Sequence, residues 1–225
     1  MWNGERRVQM PLKMPKKIKS ERIILEAAYP PSFALATEIV EKAKPSYGTL
    51  RQWLPWPDKI KRPEDEYNYL VNWAKRHWEE GSGYTYIVRD KNTKAFAGLI
   101  DFFKYDDKSK TSEIGYWLID EAVGHGYITE AVRVIEKTVF EQGVNRIQIR
   151  MDTRNKRSEM VAIRCNYQLD GTIRAADWAE YFQDYRDEYV YSKLKSDWKK
   201  EQHIVSRNVK GKMKVKRIIK QREYS

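Results

Sequence analysis

The stretch AVGHGYITEA, Ala122–Ala131, sets two glycines one residue apart between an apolar run and a long amphipathic pattern. A glycine-bearing turn that opens a helix suits an anion, because the first N–H groups of the helix lack partners in the chain and the positive end of its dipole lies there. The turn lacks the Lys-Ser/Thr pair of a nucleotide hydrolase and the third glycine of a dinucleotide-binding fold, so its neighbours must say which anion it holds. Downstream, Ile128, Ala131, Val132, Ile135 and Val139 share one helical face, and Gly143 is placed to end it. Upstream, the runs GYTYIVRD, FAGLIDFF and TSEIGYWLI, joined by the polar DKNTK and KYDDKSK connections, predict three strands in an antiparallel meander.

Further out, RIILEAA reads as a strand stopped by Pro30 and Pro31, and PSFALATEIVEKAK as a helix. LRQWLPWPDKIKRP holds too many prolines for regular structure and reads as a loop anchored by Trp53 and Trp56. Pro63 followed by Glu64, Asp65 and Glu66 predicts a helix start, with Leu70, Trp73, Ala74 and His77 on one face and Gly81 at the stop. NRIQIRM alternates Ile147, Ile149 and Met151 as a half-buried strand does; a shorter helix from Arg157 to Cys165 and strands near DGTIRAA and EYVYSKL follow. The fold class is α/β, a mixed and mostly antiparallel central sheet flanked by helices, with no internal repeat.

A chain of 225 residues, 41% hydrophobic, is long enough for one substantial core and short for two. The expected organisation is a basic lead over residues 1–17, one domain over 18–195 and a basic tail over 196–225. The net charge of +11 supports this division: residues 1–22 carry +5, residues 196–225 carry +7, and the middle is near neutral. Two basic ends on a neutral body suit a polyanion such as RNA, or serve only as solvated tails. In the tail, Lys210, Lys212, Lys214 and Lys216 alternate with Val209, Gly211, Met213 and Val215, the spacing of an extended arm with its charges on one side. The single Cys165 excludes an internal disulfide, and His77, His125 and His203 are too dispersed for a metal cluster, so no metal is expected. No apolar run approaches the roughly 18 residues of a membrane span, and the basic N-terminus lacks the apolar segment of a signal peptide. The expected location is the cytoplasm, without a membrane partner.

The order IGYWL, a short acidic turn, VGHGYI and a TEA-opened helix resembles the acetyl-CoA site of the GNAT superfamily of N-acetyltransferases. Within it, the chain is similar to the RimJ/RimL-type branch that acetylates the N-termini of ribosomal proteins. Five motifs carry the resemblance in chain order: WLPW at Trp53–Trp56, EIGYWL at Glu113–Leu118, GHGYITEA at Gly124–Ala131, N-x-x-S-x-x-V-A at Asn155–Ala162 and D-x-x-x-Y-S at Asp187–Ser192. The motifs run from Trp53 to Ser192, and the resemblance as a whole covers roughly Ile18 to Leu194.

The resemblance implies acetyl-CoA as co-substrate, its pyrophosphate held by the turn formed by Val123, Gly124, His125, Gly126, Tyr127 and Ile128. Converging backbone N–H groups bind such an anion without a lysine. Val123 stands where the family commonly has Gln or Arg, and Ile128 where it has Gly or Ala. The resemblance also implies that backbone from Trp117 through Leu118 to Ile119 pairs with the pantetheine arm as an added strand would, and that an unpaired amide there polarises the thioester carbonyl. Glu113 is the implied general base, acting through water, and Ser158 the implied proton donor to the thiolate. Asn155 is implied to hold the pantetheine amides; it is equally a helix cap with Ser158 three residues on. Trp53 and Trp56, with Glu64–Glu66, are placed by analogy around the acceptor, where aromatic and acidic walls suit an ammonium; both tryptophans serve as well as core anchors. Asn166 replaces a family glycine and tolerates the left-handed conformation expected there, while Cys165 and Tyr167 read as core. The expected activity is acetyl transfer to the α-amino group of a protein, by direct attack in a ternary complex. The alternatives are a small-molecule amine acceptor and a noncatalytic module that binds RNA or the ribosome.

Overall fold

The structure, a computed structural model, describes residues 12–203. The lysine alternation from Lys210 to Lys216 lies outside these residues. Eight strands form one sheet: β1 (Lys17–Lys19), β2 (Ile23–Ala27), β3 (Tyr84–Asp90), β4 (Phe96–Asp106), β5 (Thr111–Leu118), β6 (Arg146–Asp152), β7 (Gln168–Ala179) and β8 (Asp184–Leu194). Their spatial order is β1-β2-β3-β4-β5-β6-β8-β7, and every neighbouring pair is antiparallel except β5–β6. The meander expected from the three apolar runs is β3-β4-β5. The helices are α1 (Phe33–Ala43), α2 (Tyr47–Leu50), α3 (Pro63–Tyr69), α4 (Arg76–Glu80), α5 (Tyr127–Glu141), α6 (Lys156–Arg164) and α7 (195–203). None of them is long and apolar enough to cross a membrane.

Local chemistry sets the helix ends. Ser32 caps α1, its hydroxyl accepting from Leu35 N–H at 3.1 Å. Pro63 opens α3, and the Asp65 carboxylate accepts the N–H groups of Lys61 and Arg62 at 3.1 and 3.0 Å. A π-helical turn, Leu70–Lys75, joins α3 to α4, and Gly81 ends the run with φ +69°. α5 buries Ile128, Ala131, Val132, Ile135 and Val139 against β2, β4 and β5. Asn166 takes φ +59° directly after α6, the conformation expected of it, and Cys165 and Tyr167 are buried.

Packing reaches beyond both expected boundaries of the body. Leu12 and Met14 are buried, and the hydroxyls of Tyr84 and Tyr86 donate to the carbonyls of Leu12 and Pro15 at 2.6 and 2.7 Å. At the other end α7 lays Trp198 on Phe140, ring centroids 5.8 Å apart. The buried Lys193 ammonium donates to Glu136 and Glu201 at 3.2 and 2.8 Å.

One irregularity positions the site. β5 pairs with β4 from Thr111 to Leu118 across a bulge between Phe103 and Asp106, but with β6 only over Thr111–Glu113, the last partners being Glu113 and Gln148. β6 follows β8 on to Asp152, opposite Glu188. Two strands held by different neighbours in a twisted sheet diverge, and the sheet opens between them.

Candidate active site

The opening is a cleft of about 1280 Å³. Its first wall is the free edge of β5. Ile119 N–H donates to Ala97 O at 2.9 Å, so the two-residue alternation of a strand turns the N–H groups of Leu118 and Tyr116 the other way, into the cleft. Ile119 itself is buried with its N–H spent, and of the expected run Trp117–Ile119 only the Leu118 amide is directed at the opening. A tethered chain lying along this edge meets the donors and acceptors of an unpaired strand.

The second wall is the glycine turn. Gly124 and Gly126 have φ +91° and +75°, a region L side chains rarely adopt. The first helical bond of α5 is Glu130 N–H to Gly126 O at 3.1 Å, which leaves the N–H groups of Tyr127, Ile128 and Thr129 without helical partners at the cleft. The Ile128 side chain is buried in the core, so its departure from the family pattern does not touch the turn's donors. Val123 is exposed and lines the cleft. His125 turns away: its ring stacks on Tyr127 at 5.4 Å and its carbonyl accepts from Arg22 Nη1 at 2.9 Å. Arg22, from the β1–β2 turn, also donates Nε and its own N–H to Glu130, each at 2.8 Å. Its guanidinium lies 3.2 Å from where a Cβ on Gly126 would stand. The turn expected to work by backbone alone therefore has a cation beside it.

At the base of the fork sits Glu113, 8% exposed. Its Oε2 accepts from Gln148 Nε2 at 3.0 Å and from Lys104 Nζ at 3.1 Å. Residues 113, 115 and 117 face one side of the sheet and 114, 116 and 118 the other. On the other side, Tyr116 Oη lies 3.0 Å from Ser158 Oγ, and both residues line the cleft. Burial holds the Tyr116 phenol well above its ordinary range, against a smaller lowering by Ser158. Asn155 caps α6, its Oδ1 accepting from Ser158 N–H at 3.1 Å, and it lines the cleft as well, so capping and ligand contact are compatible here.

The far end of the cleft is aromatic and charged. Trp53 lines it and packs on Phe182 at 5.8 Å, Phe182 coming from the β7–β8 hairpin and carrying the Arg154 guanidinium 4.0 Å over its ring. Trp56 does not line the cleft. It packs against Tyr47 at 5.5 Å and Trp117 at 5.0 Å, as a core anchor does. The acidic triplet is not a wall of the cleft either: Asp65 caps α3 and Glu66 is buried. Burial, reinforced by Asp101, pushes the Glu66 carboxyl up to about 7, and burial pushes Asp101 up to about 6.

Arg22, Lys104 and Tyr116 join the site unannounced by the sequence, and Gln148 and Phe182 support it from behind Glu113 and Trp53. Tyr116 carries a signal in hindsight, since strand alternation sets it opposite in face to Glu113. The others depend on pairings that only the folded chain reveals.

A split sheet with a glycine turn at one end and a buried carboxylate at the fork suits a long ligand with an anionic end and an amide-bearing arm. Residues 35–168 match the model of the Acetyltransferase (GNAT) domain, and the chain belongs to that family. It is a GNAT acetyltransferase whose acetyl donor is acetyl-CoA. A ribosomal-protein-serine acetyltransferase of Escherichia coli is 28% identical over 147 residues, 64% of this chain and 79% of that protein, which supports the RimJ/RimL-type branch. Among solved structures, the fold is similar to the microcin self-immunity acetyltransferase MccE in complex with acetyl-CoA and AMP: TM-score 0.73, 24% identity, 80% of this chain and 97% of that one. It is also similar to RimL, a ribosomal α-N-protein acetyltransferase in complex with coenzyme A: TM-score 0.70, 24% identity, 78% of this chain and 95% of that one.

Proposed function

We propose that this acetyltransferase acts on the α-amino group of a polypeptide, a ribosomal protein N-terminus in the cytoplasm, by direct attack in a ternary complex. The observation that carries the reading is the parting of β5 from β6 at Glu113 and Gln148, which makes one cleft running from the glycine turn to the aromatic wall. The name of the Escherichia coli relative supports the acceptor class.

The residues present fit acetyl-CoA, which supplies an activated thioester acyl group when bound. Val123 gives its own N–H to Asp120 O at 3.2 Å, so the N–H groups from Gly124 to Ile128 hold the pyrophosphate with Arg22 beside them, the helix dipole contributing about 0.3–1 kcal/mol. The Leu118 and Tyr116 edge and the Asn155 side chain hold the pantetheine arm, and the Leu118 amide is placed to polarise the carbonyl. Glu113 accepts the proton of the acceptor amine through water, with Gln148 fixing the carboxylate. Ser158 returns a proton to the departing sulfur. Trp53, with Phe182 packed on it, flanks the entering acceptor.

The test incubates the protein with labelled acetyl-CoA, peptides with free or blocked N-termini, and small amines, and locates the label by mass spectrometry. Label on free α-amino groups is expected, and label confined to small amines or to lysine Nζ overturns the acceptor class. Glu113→Gln should lower kcat about a hundredfold at neutral pH and leave KM for acetyl-CoA in place, the loss shrinking at high pH where the amine deprotonates unaided. Wild-type kcat in that variant removes Glu113 from the mechanism.

A further inference from the structure

Ser158 has its N–H tied to Asn155, but that cap leaves its hydroxyl free to rotate among the staggered wells. A serine that gives a proton into the cleft needs its O–H turned there and away from its own helix. The group that controls this comes from the strand opposite. Tyr116 Oη lies 3.0 Å from Ser158 Oγ and 3.2 Å from Ser158 O. One phenolic hydrogen serves one of these acceptors at a time. Given to the carbonyl, it leaves the serine hydrogen drawn back toward Tyr116. Given to Oγ, it occupies a serine lone pair and sends the serine hydrogen outward.

We infer that Tyr116 is the positioning residue of Ser158: its hydroxyl donates to Ser158 Oγ, fixes the serine rotamer and directs the serine proton into the cleft. The inference rests on the reading of Ser158 as proton donor. When the Ser158 O–H bond breaks, its proton goes to the departing sulfur and the electron pair stays on Oγ, where the Tyr116 hydrogen bond meets the charge; a proton from cleft water restores the hydroxyl, balanced by the proton that leaves the acceptor amine. The phenol, held above its ordinary range by burial, stays a donor throughout. The ring of Tyr116 packs on the core independently of its hydroxyl, so Tyr116→Phe removes the positioning bond and keeps the packing.

The test is a double-mutant cycle of Tyr116→Phe and Ser158→Ala in the full-length protein, read as kcat and KM for acetyl-CoA, at a temperature where circular dichroism shows all variants folded. Tyr116→Phe should lower kcat about threefold to tenfold with KM unmoved, the loss of one modest hydrogen bond. Ser158→Ala should lower kcat more, and the double variant should match Ser158→Ala alone, because Tyr116 acts only through the serine. Losses that multiply in the double variant, a raised KM with kcat intact, or wild-type kcat in Tyr116→Phe overturn the inference while Ser158 keeps its role. Wild-type kcat in Ser158→Ala overturns both.

Discussion

At its glycine end the cleft is walled by main chain, the N–H groups of Tyr127, Ile128 and Thr129 and the free edge of β5, all within about a dozen residues of one another. From the fork to its aromatic end it is walled by side chains from separate elements, among them Trp53, Glu113 and Arg186, with Gln148 behind Glu113 and Phe182 behind Trp53. Fixed backbone dipoles recognise an anion whatever the pH, whereas carboxylates and ammonium groups recognise a partner only in one protonation state. The first end suits a cofactor that is always the same. The second suits an acceptor whose amine must lose a proton.

The sharpest way to break this comparison is Gly124→Val. Gly124 has φ +91° and lines the cleft, with nothing within 4 Å of a Cβ placed on it, so valine strains the turn out of the geometry that presents its N–H groups without clashing with the protein. Loss of two charge-assisted hydrogen bonds at about 2 kcal/mol each predicts acetyl-CoA binding weaker by about a thousandfold. Left-handed strain of about 1–2 kcal/mol should lower the melting temperature by only a few degrees. Unchanged affinity by calorimetry would show that the turn binds no phosphate. Gly126 is a less clean target, because its Cβ would also press on the Arg22 guanidinium.

The same contrast explains what was legible in the sequence. The glycine end could be read because its geometry is local: Gly124, Gly126 and the α5 periodicity specify turn and helix together. The aromatic end could not, because nothing near Glu113 names Gln148 as its partner, and nothing near Trp53 names Phe182. WLPW marked two anchors without telling which turns inward, and Trp56 took Tyr47 and Trp117 instead. The π-helical turn Leu70–Lys75 carries no glycine or proline to mark it. α7 holds a single aromatic among charges, and its anchoring by Trp198 and Glu201 appears only when Phe140 and Lys193 are in place.

A second variant probes the buried carboxylates behind the aromatic end. The Glu66 carboxyl stands at about 7 against an ordinary 4.5, so the folded chain holds its proton more tightly than the unfolded chain does. Its contribution to stability is complete below about pH 4.5 and is lost as pH rises to 7, a difference of about 3 kcal/mol. Glu66→Gln keeps the shape and removes the titration. It should melt like the parent below about pH 4 and be more stable at pH 8, by an amount of that order in denaturant unfolding. Parallel pH–stability curves for the two proteins would mean that Glu66 is solvated or paired in the folded state.

The smallest expected effect tests whether the glycine end is main chain alone. Arg22 gives Nε and its backbone N–H to Glu130 and Nη1 to His125 O, leaving Nη2 without a hydrogen-bond partner among the described residues, beside Gly126. Its side chain is about half exposed, so solvent and salt screen whatever charge it presents. If it assists the turn's N–H groups, Arg22→Gln should weaken acetyl-CoA binding about threefold to tenfold at low salt, and the difference should fade as ionic strength rises. S-acetylpantetheine, which has the thioester and the arm but no pyrophosphate, should bind the variant and the parent alike. If Arg22 serves only to tie the β1–β2 turn to α5, loosening that tie should disturb both donors equally and lower the melting temperature, with no dependence on which donor carries phosphate. Equal losses for the two donors would return the glycine end to main chain alone, with Arg22 as its brace.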